Sequence, residues 1–253
     1  GHAMNRRRFM SLTAAALCPL SAAAEIWEGT GLGAALTLRL VGGSPAQTAR
    51  AIRKVAMEIS RIEAMASLHC DSSLVRLNRD GRLSHPTADF AALLSLADEV
   101  HGATDGVFDP TVQPLWLANA TGGDLDAARR LIGWHRVTLA AEEIRLSPGQ
   151  ALTLNGIAQG WAADRIAAVL RGEGFENALI DMGEVQAMGR REDNRPWQAR
   201  VASPEGLALG ELALTNRALA TSSPWGTLIG AGLPHILGPR GERPLWSTVS
   251  VSA

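Results

Sequence analysis

Two kinds of hydrophobic spacing meet at one break in this chain. Leu36, Leu38 and Leu40 alternate with Thr37 and Arg39, the period of two that marks a half-buried strand. Gly42-Gly43-Ser44-Pro45 interrupts the run, and Ile52, Val55, Ile59 and Ile62 then recur at helical spacing over about 46–65. A strand that hands over to a long amphipathic helix must bury one face of each, so sheet and helix share the fold. With 46% hydrophobic and 19% charged residues in 253, the chain has material for a packed core, which excludes disorder as its main state.

The same reading places a turn and a short helical segment over Asp71 to Asn78 and a second amphipathic helix over about 88–101. Asp109-Pro110 suits the start of another short helix, with Pro at its first position. Strands are expected around 136–139 and 143–146. Leu152 to Asp181 reads strand, turn, helix, strand, the helix running from about Ile157 to Arg171 and ended by Gly172 and Gly174. Short β-type runs follow at 197–202, 211–214 and 248–252. No internal repeat or long linker interrupts the chain, which predicts one α+β domain.

Composition removes several function classes. Lys+Arg is 24 against Asp+Glu 25, without the positive surplus that bulk nucleic-acid binding needs. Tyr is absent, and two cysteines, Cys18 and Cys70, make neither a disulfide framework nor a Cys-rich zinc site. Cys70 is expected as a buried thiol, and Trp161 and Trp197 as core. Chemistry therefore falls to Asp, Glu, His, Ser/Thr, backbone groups or a bound cofactor.

The N-terminus reads as an address. Gly1-His2-Ala3 before Met4 is a tag remnant. Arg6-Arg7-Arg8-Phe9, the apolar run from Leu12 to Leu20 and Ser21-Ala22-Ala23-Ala24 then form an export signal. Consecutive arginines followed by Phe resemble the twin-arginine signal, with an ordinary secretory signal as the alternative. The apolar run is shorter than the ~20 residues that span a bilayer. The expectation is a mature periplasmic chain of residues 25–253 without a transmembrane segment.

Three segments could carry chemistry. In Leu152-Thr-Leu-Asn-Gly-Ile-Ala-Gln-Gly-Trp-Ala-Ala-Asp164, Gly156 and Gly160 flank a strand-to-helix transition. Small residues and the free N–H groups of a first helical turn suit an anion such as phosphate, or equally a tight turn packing helix on sheet. The segment has neither the Gly-Lys-Ser/Thr ending of a P-loop nor dinucleotide-fingerprint spacing. Thr104-Asp105-Gly106-Val107-Phe108-Asp109-Pro110 puts two carboxylates around a turn, where an Asp serves a ligand or caps the next helix. His235, between a Gly-rich loop and Gly238-Pro239, is a general base, a ligand contact or a surface residue. His69, His85, His101 and His135 lack metal-type spacing, and Ser222-Ser223 lacks the Gly-x-Ser-x-Gly elbow.

Taken in order, these pieces resemble the ApbE family of FAD:protein FMN transferases, especially its NosX-like branch associated with nitrous-oxide respiration. The resemblance runs from about residue 26 to the end. It rests on Leu32-Gly33-Ala34, Asp71 to Asn78, Thr104 to Pro110, Leu154 to Gly160, Asn177 to Gly183 with its Gly-Glu ending, Ala220-Thr221-Ser222 and His235-Ile236-Leu237. It implies one T-fold-related α+β domain with mixed sheets and packed helices. It also implies FAD as substrate, Mg2+ as metal, and transfer of FMN to a Thr or Ser hydroxyl of a membrane-associated redox protein, NosR-like or similar, with AMP released. Leu32, Val107, Phe108, Asp109 and Ile236 then match cofactor contacts, Gly156 a metal position through its carbonyl, and His235 the residue that activates the acceptor hydroxyl.

Departures from the family pattern are local. Thr153 stands where many members have Asp, and Gln159 where they have Lys, replacing a charge pair at the cofactor with neutral groups. His69 takes the place of an aromatic stacking residue, and Gly238 that of an Asp. Members of the family also bind the metal with an Asp and a Thr in a following C-terminal helix; the sequence to Ala253 does not contain it, so that either the chain continues beyond Ala253 or the molecule lacks two magnesium ligands. Two alternatives stay open: an FAD-binding or carrier protein without transfer, and a metal-dependent FAD pyrophosphatase.

Overall fold

Leu36, Leu38 and Leu40 are each at most 1% exposed, so the alternating run does face a core. The computed structural model describes residues 15–16, 24–230 and 232–253. The expected export signal lies almost wholly outside these. Strands in chain order are β1 (Ala15–Ala16), β2 (Ala24–Gly31), β3 (Ala34–Val41), β4 (Arg82–Ser84), β5 (Thr138–Leu139), β6 (Glu143–Arg145), β7 (Ala178–Asp181), β8 (Val185–Met188), β9 (Trp197–Ala202), β10 (Ala208–Leu214), β11 (Arg217–Ser222), β12 (Leu228–Ile229), β13 (Leu233–Pro234) and β14 (Val249–Ser252). Helices are α1 (Pro45–Ala66), α2 (Ser73–Asp80), α3 (Ala88–Ala103), α4 (Gln113–Thr121), α5 (Leu125–Arg130) and α6 (Ala158–Gly172).

The chain is α+β and divides into two compact units. One takes the described residues up to Arg61 with Gln159–Thr227 and Trp246–Ala253; the other takes Ile62–Ala158 and Leu228–Leu245.

The first unit holds a six-stranded sheet in the order β14-β11-β8-β7-β3-β2 and a three-stranded sheet β1-β9-β10. In place of the expected mixed sheets, every strand pairing among the described residues is antiparallel. Short hairpins join β2 to β3 and β7 to β8, and a tight connection of this length can only join antiparallel neighbours. Residues 197, 199 and 201 of β9 turn inward, where Trp197, Ala199 and Val201 pack with Leu179, Val185, Leu214 and Leu219. Trp197 is fully buried and donates its indole N–H to Met188 O at 3.0 Å. Trp161, expected as core, is only half-buried, with the Arg165 guanidinium 5.5 Å over its ring.

The second unit is mainly helical, with the small sheet β4-β6-β5 and the hairpin β12-β13. Ser72 caps α2, accepting from Val75 N at 3.0 Å while its hydroxyl donates to Ser67 O at 2.6 Å. Phe90, Leu93, Leu94 and Ala97 of α3 are buried with Leu74 and Leu77 of α2. Cys70 is exposed rather than buried, on the bend after α1, with its thiol 3.5 Å from Glu63 O. The expected strand at Leu152 is absent because a side chain replaces its neighbour. Asn78 donates to Leu152 O at 2.9 Å and accepts from Leu152 N at 2.7 Å.

Truncating the fully buried Trp197 to Ala removes the filling of the first unit's core and an indole hydrogen bond. A loss of about 3–5 kcal/mol in urea titration is expected, and a loss below about 1 kcal/mol would contradict this packing.

Candidate functional site

The turn after α3 is built by Thr104. Its hydroxyl donates to Val100 O at 2.8 Å and accepts from Phe108 N at 3.1 Å. Asp105 and Gly106 are both left-handed, with φ of 52° and 75°, a conformation an Asp tolerates better than most residues. His101 then ties the turn to its helix. Its Nδ1 lies 2.8 Å from Phe108 O, and only a protonated Nδ1 can donate to a carbonyl, which fixes the tautomer. Val107 is left 55% exposed.

Asp109 is held from within. Its Oδ1 accepts from Thr111 N at 2.8 Å and from Thr111 Oγ1 at 2.6 Å, and its Oδ2 accepts from Trp134 N at 3.3 Å. Thr111 Oγ1 in turn accepts from Gly133 N at 2.8 Å. Of the two roles open to this residue, the carboxylate performs the cap. The cap ties the residues after the turn to the segment at Gly133-Trp134.

The bend at 152–158 meets that turn. Thr153 N donates to Pro110 O at 2.9 Å, Thr153 Oγ1 accepts from Asn155 N at 3.3 Å, and Ala158 N donates to Leu154 O at 2.8 Å to begin α6. Phe108 lies against Gly156 so closely that a Cβ there would stand 3.1 Å from the ring edge. Thr153 is thus already engaged by its neighbours, and Gly156 is exposed.

The segment bearing His235 is fixed at both ends. Before it, the β12-β13 hairpin rests on α4 at Gly230, where φ is 53° and an added Cβ would meet Asn119 O at 2.1 Å. After it, Arg240 donates to Asp105 O across 135 residues of sequence. His235 is half-buried and Ile236 is 40% exposed. Val107, Phe108, Asp109, Thr153, Gly156, His235 and Ile236 therefore belong to one connected part of the second unit. His69 also belongs to this unit, exposed, with its N–H donated to Ser67 Oγ at 3.0 Å.

Leu32 and Gln159 belong to the first unit. Leu32 and Gly33 form the two-residue turn between β2 and β3 with φ of 52° and 78°, the signature of a type I′ hairpin. A leucine held left-handed stores about 1–3 kcal/mol of strain, a mark of functional loops. Gln159 sits half-buried in the first turn of α6. Sequence reasoning missed two acids in this unit. Burial pushes the Asp181 carboxyl up, with the Gly183 N–H at 3.0 Å holding it back. Burial, and then the charge of Asp164, pushes the Glu184 carboxyl up too, and one oxygen of Glu184 lies 3.1 Å from where a Cβ on Gly160 would stand. The Gly-Glu ending was the only signal for them. His101 and Arg240 had none, since their partners are fixed by tertiary structure alone.

No group of three His, Cys, Asp or Glu side chains among the described residues is placed to hold a metal ion. Gly156 offers one carbonyl, whereas magnesium takes six oxygens in near-octahedral array. The residues described do not by themselves make a magnesium site.

A family model described as ApbE family matches residues 32–253. Among curated relatives, the FAD:protein FMN transferase of Haemophilus influenzae is 27% identical over 182 residues, covering 62% of this chain and 53% of the relative. That of Vibrio cholerae is 27% identical over 205 residues, covering 72% and 61%. The chain thus spans between half and two thirds of the length of these two relatives. The solved structure of the flavin transferase ApbE from Vibrio cholerae superposes with a TM-score of 0.78 at 22% identity, covering 91% of this chain and 82% of that one, a likeness of fold.

Two outcomes follow from the geometry. Gly230→Ala must push the hairpin off α4 and is expected to lose about 1–3 kcal/mol in urea titration; unchanged stability would contradict the close approach. For Glu184, a folded pKa above the unfolded value means stability that is present below about pH 4.3 and lost as pH rises through the folded value. Glu184→Gln is therefore expected to raise Tm at pH 7, with the gain shrinking toward pH 4. A fall in Tm at pH 7 would show that the carboxylate has an ionic partner.

Proposed function

The chain belongs to the ApbE family, and from that premise we propose that it transfers FMN from FAD to a Thr or Ser hydroxyl of an acceptor redox protein, releasing AMP. One observation carries the reading: the 104–110 turn, the bend at Gly156 and the segment bearing His235 are tied together within one compact unit. The relatives named as FAD:protein FMN transferases support the same chemistry.

In this reading Val107, Phe108 and Ile236 supply apolar contact to the flavin cofactor, with Asp109 holding the turn in shape. Thr153 offers a neutral polar contact, and His69 stacks in place of the family's aromatic residue. Leu32 and Gln159, in the first unit, are cofactor residues by resemblance alone. The orphan N–H groups of the first turn of α6 suit the diphosphate. His235 accepts the proton of the acceptor hydroxyl as its oxygen attacks the FMN-side phosphorus. A new O–P bond forms there while the bridging P–O bond breaks, and AMP leaves with the bridging oxygen. Positioning attacking and leaving oxygens in line supplies most of the catalysis in such a transfer. When bound, magnesium would neutralise charge on the phosphates.

The Arg6-Arg7-Arg8-Phe9 leader supports work in the periplasm after export by the twin-arginine route. The NosX-like resemblance supports an acceptor in nitrous-oxide respiration, a NosR-like membrane-associated protein.

The test is incubation with FAD, magnesium and an acceptor fragment, read as flavin fluorescence on the denatured acceptor. Transfer is expected, and His235→Ala is expected to slow it by about 10²–10⁴-fold while FAD still binds. Tight FAD binding without AMP release would make the protein a carrier, and FMN plus AMP formed without acceptor would make it a pyrophosphatase. Either result contradicts the transferase reading.

A further inference from the structure

In the first unit, two acids are sunk beneath the bases that pair with them. Glu58 of α1 takes Arg165 Nε of α6 at 2.8 Å and Arg61 Nη1 at 3.2 Å. Glu173, just after α6, takes Arg50 Nε at 3.5 Å and the Lys54 ammonium, which holds its carboxyl below the usual range. Each acid's side chain is 8% exposed, whereas Arg50, Lys54 and Arg61 are 54%, 59% and 61% exposed. Solvent therefore meets the bases and not their counter-ions.

Residues 50, 53, 54, 57 and 61 share one face of α1, being three, four, seven and eleven positions from the first. Arg53 is exposed on this face, and Met57, at its middle, is 68% exposed. Ala49, Ala56 and Ser60 lie exposed along one flank of this stripe and raise no wall there. Over α1 as a whole, Arg50, Arg53, Lys54 and Arg61 stand against Glu58 and Glu63, four bases to two acids. The whole chain carries a net charge of −1, so this positive surface is segregated rather than general.

We propose that this face of α1 is a peripheral docking surface for an anionic lipid bilayer. A helix face is convex, and Arg50 to Arg61 spans about 16 Å along the axis. A fluid layer of phosphate headgroups meets such a line of long, mobile cations without needing a fixed register. An acidic polypeptide would be better held by a groove with donors set at matching intervals, and this face has no such walls. Met57 provides one apolar group to enter the headgroup layer, and the arginine stems lie along it with their charges outward. Among the described residues no helix is long and apolar enough to cross a membrane, so the association is one of surface contact.

The test is co-sedimentation of the whole chain with vesicles of phosphatidylcholine and phosphatidylglycerol in about a 7:3 ratio, against vesicles of phosphatidylcholine alone. Binding is expected only to the anionic vesicles and is expected to collapse between about 0.05 M and about 0.5 M salt as screening shortens. Arg53→Gln with Arg61→Gln leaves Glu58 paired with Arg165 and is expected to weaken partitioning about fivefold per base removed. Met57→Gln, which disturbs no ion pair, is expected to weaken it as well and serves if the double variant melts early. Equal binding to both vesicle types, salt-independent binding, or variants that bind like the parent would overturn the proposal. So would capture of poly-glutamate by a chain that ignores the anionic vesicles, which would give the face to an acidic protein.

Discussion

The second unit depends on where the backbone around Leu152 finds its hydrogen bonds. A buried strand ordinarily satisfies its N–H and C=O groups against a neighbouring strand. Here the Asn78 amide, projecting from α2, serves Leu152 on both counts, and Pro110 O takes the next N–H. A side chain can anchor one residue without imposing a ladder, so the chain is free to bend three residues later. That freedom brings Gly156 under the Phe108 ring and lets α6 begin at Ala158. The turn around Phe108 is in turn held by Thr104, His101 and the capped carboxylate of Asp109. The result is a turn fixed by polar contacts, with the apolar Val107 left outside.

Much of this architecture was legible in the sequence. Local spacing determined α1, α2, α3 and α6 to within a few residues, because a helix's apolar stripe and its caps lie close together in the chain. Asp109-Pro110-Thr111 carries the signal of a cap and a turn, and the structure shows the cap, made by one amide and one hydroxyl donor of Thr111. The strand at Leu152 was misread because a short apolar run has the same period whether its partner is a strand or an asparagine. Cys70 was misread because cysteines are usually buried and nothing local reports that a bend leaves this one outside. Leu32 contradicts local preference outright: a type I′ turn favours Asn-Gly, and only the pairing of β2 with β3 forces a leucine there.

Contacts that join distant segments were beyond such reading. Arg240 reaches Asp105, and Asn119 receives Gly230, through topology alone. The raised carboxyls of Asp181 and Glu184 arise from burial, which no spacing encodes. Tolerated instability of this kind concentrates where a protein meets its ligand. The basic face of α1 shows the opposite economy, with acids placed inside and bases outside so that the ion pairs hold the helices while the surface keeps its charge.

In the proposed function FAD settles on the turn at 104–109 and the bend at 153–158, beside the segment carrying His235. Backbone hydrogen exchange, followed by mass spectrometry with and without FAD, tests it most directly. Slowed exchange is expected in peptides covering 104–109, 153–158 and 235–237 when FAD is present. Protection confined to other segments, or none at saturating FAD, would contradict it.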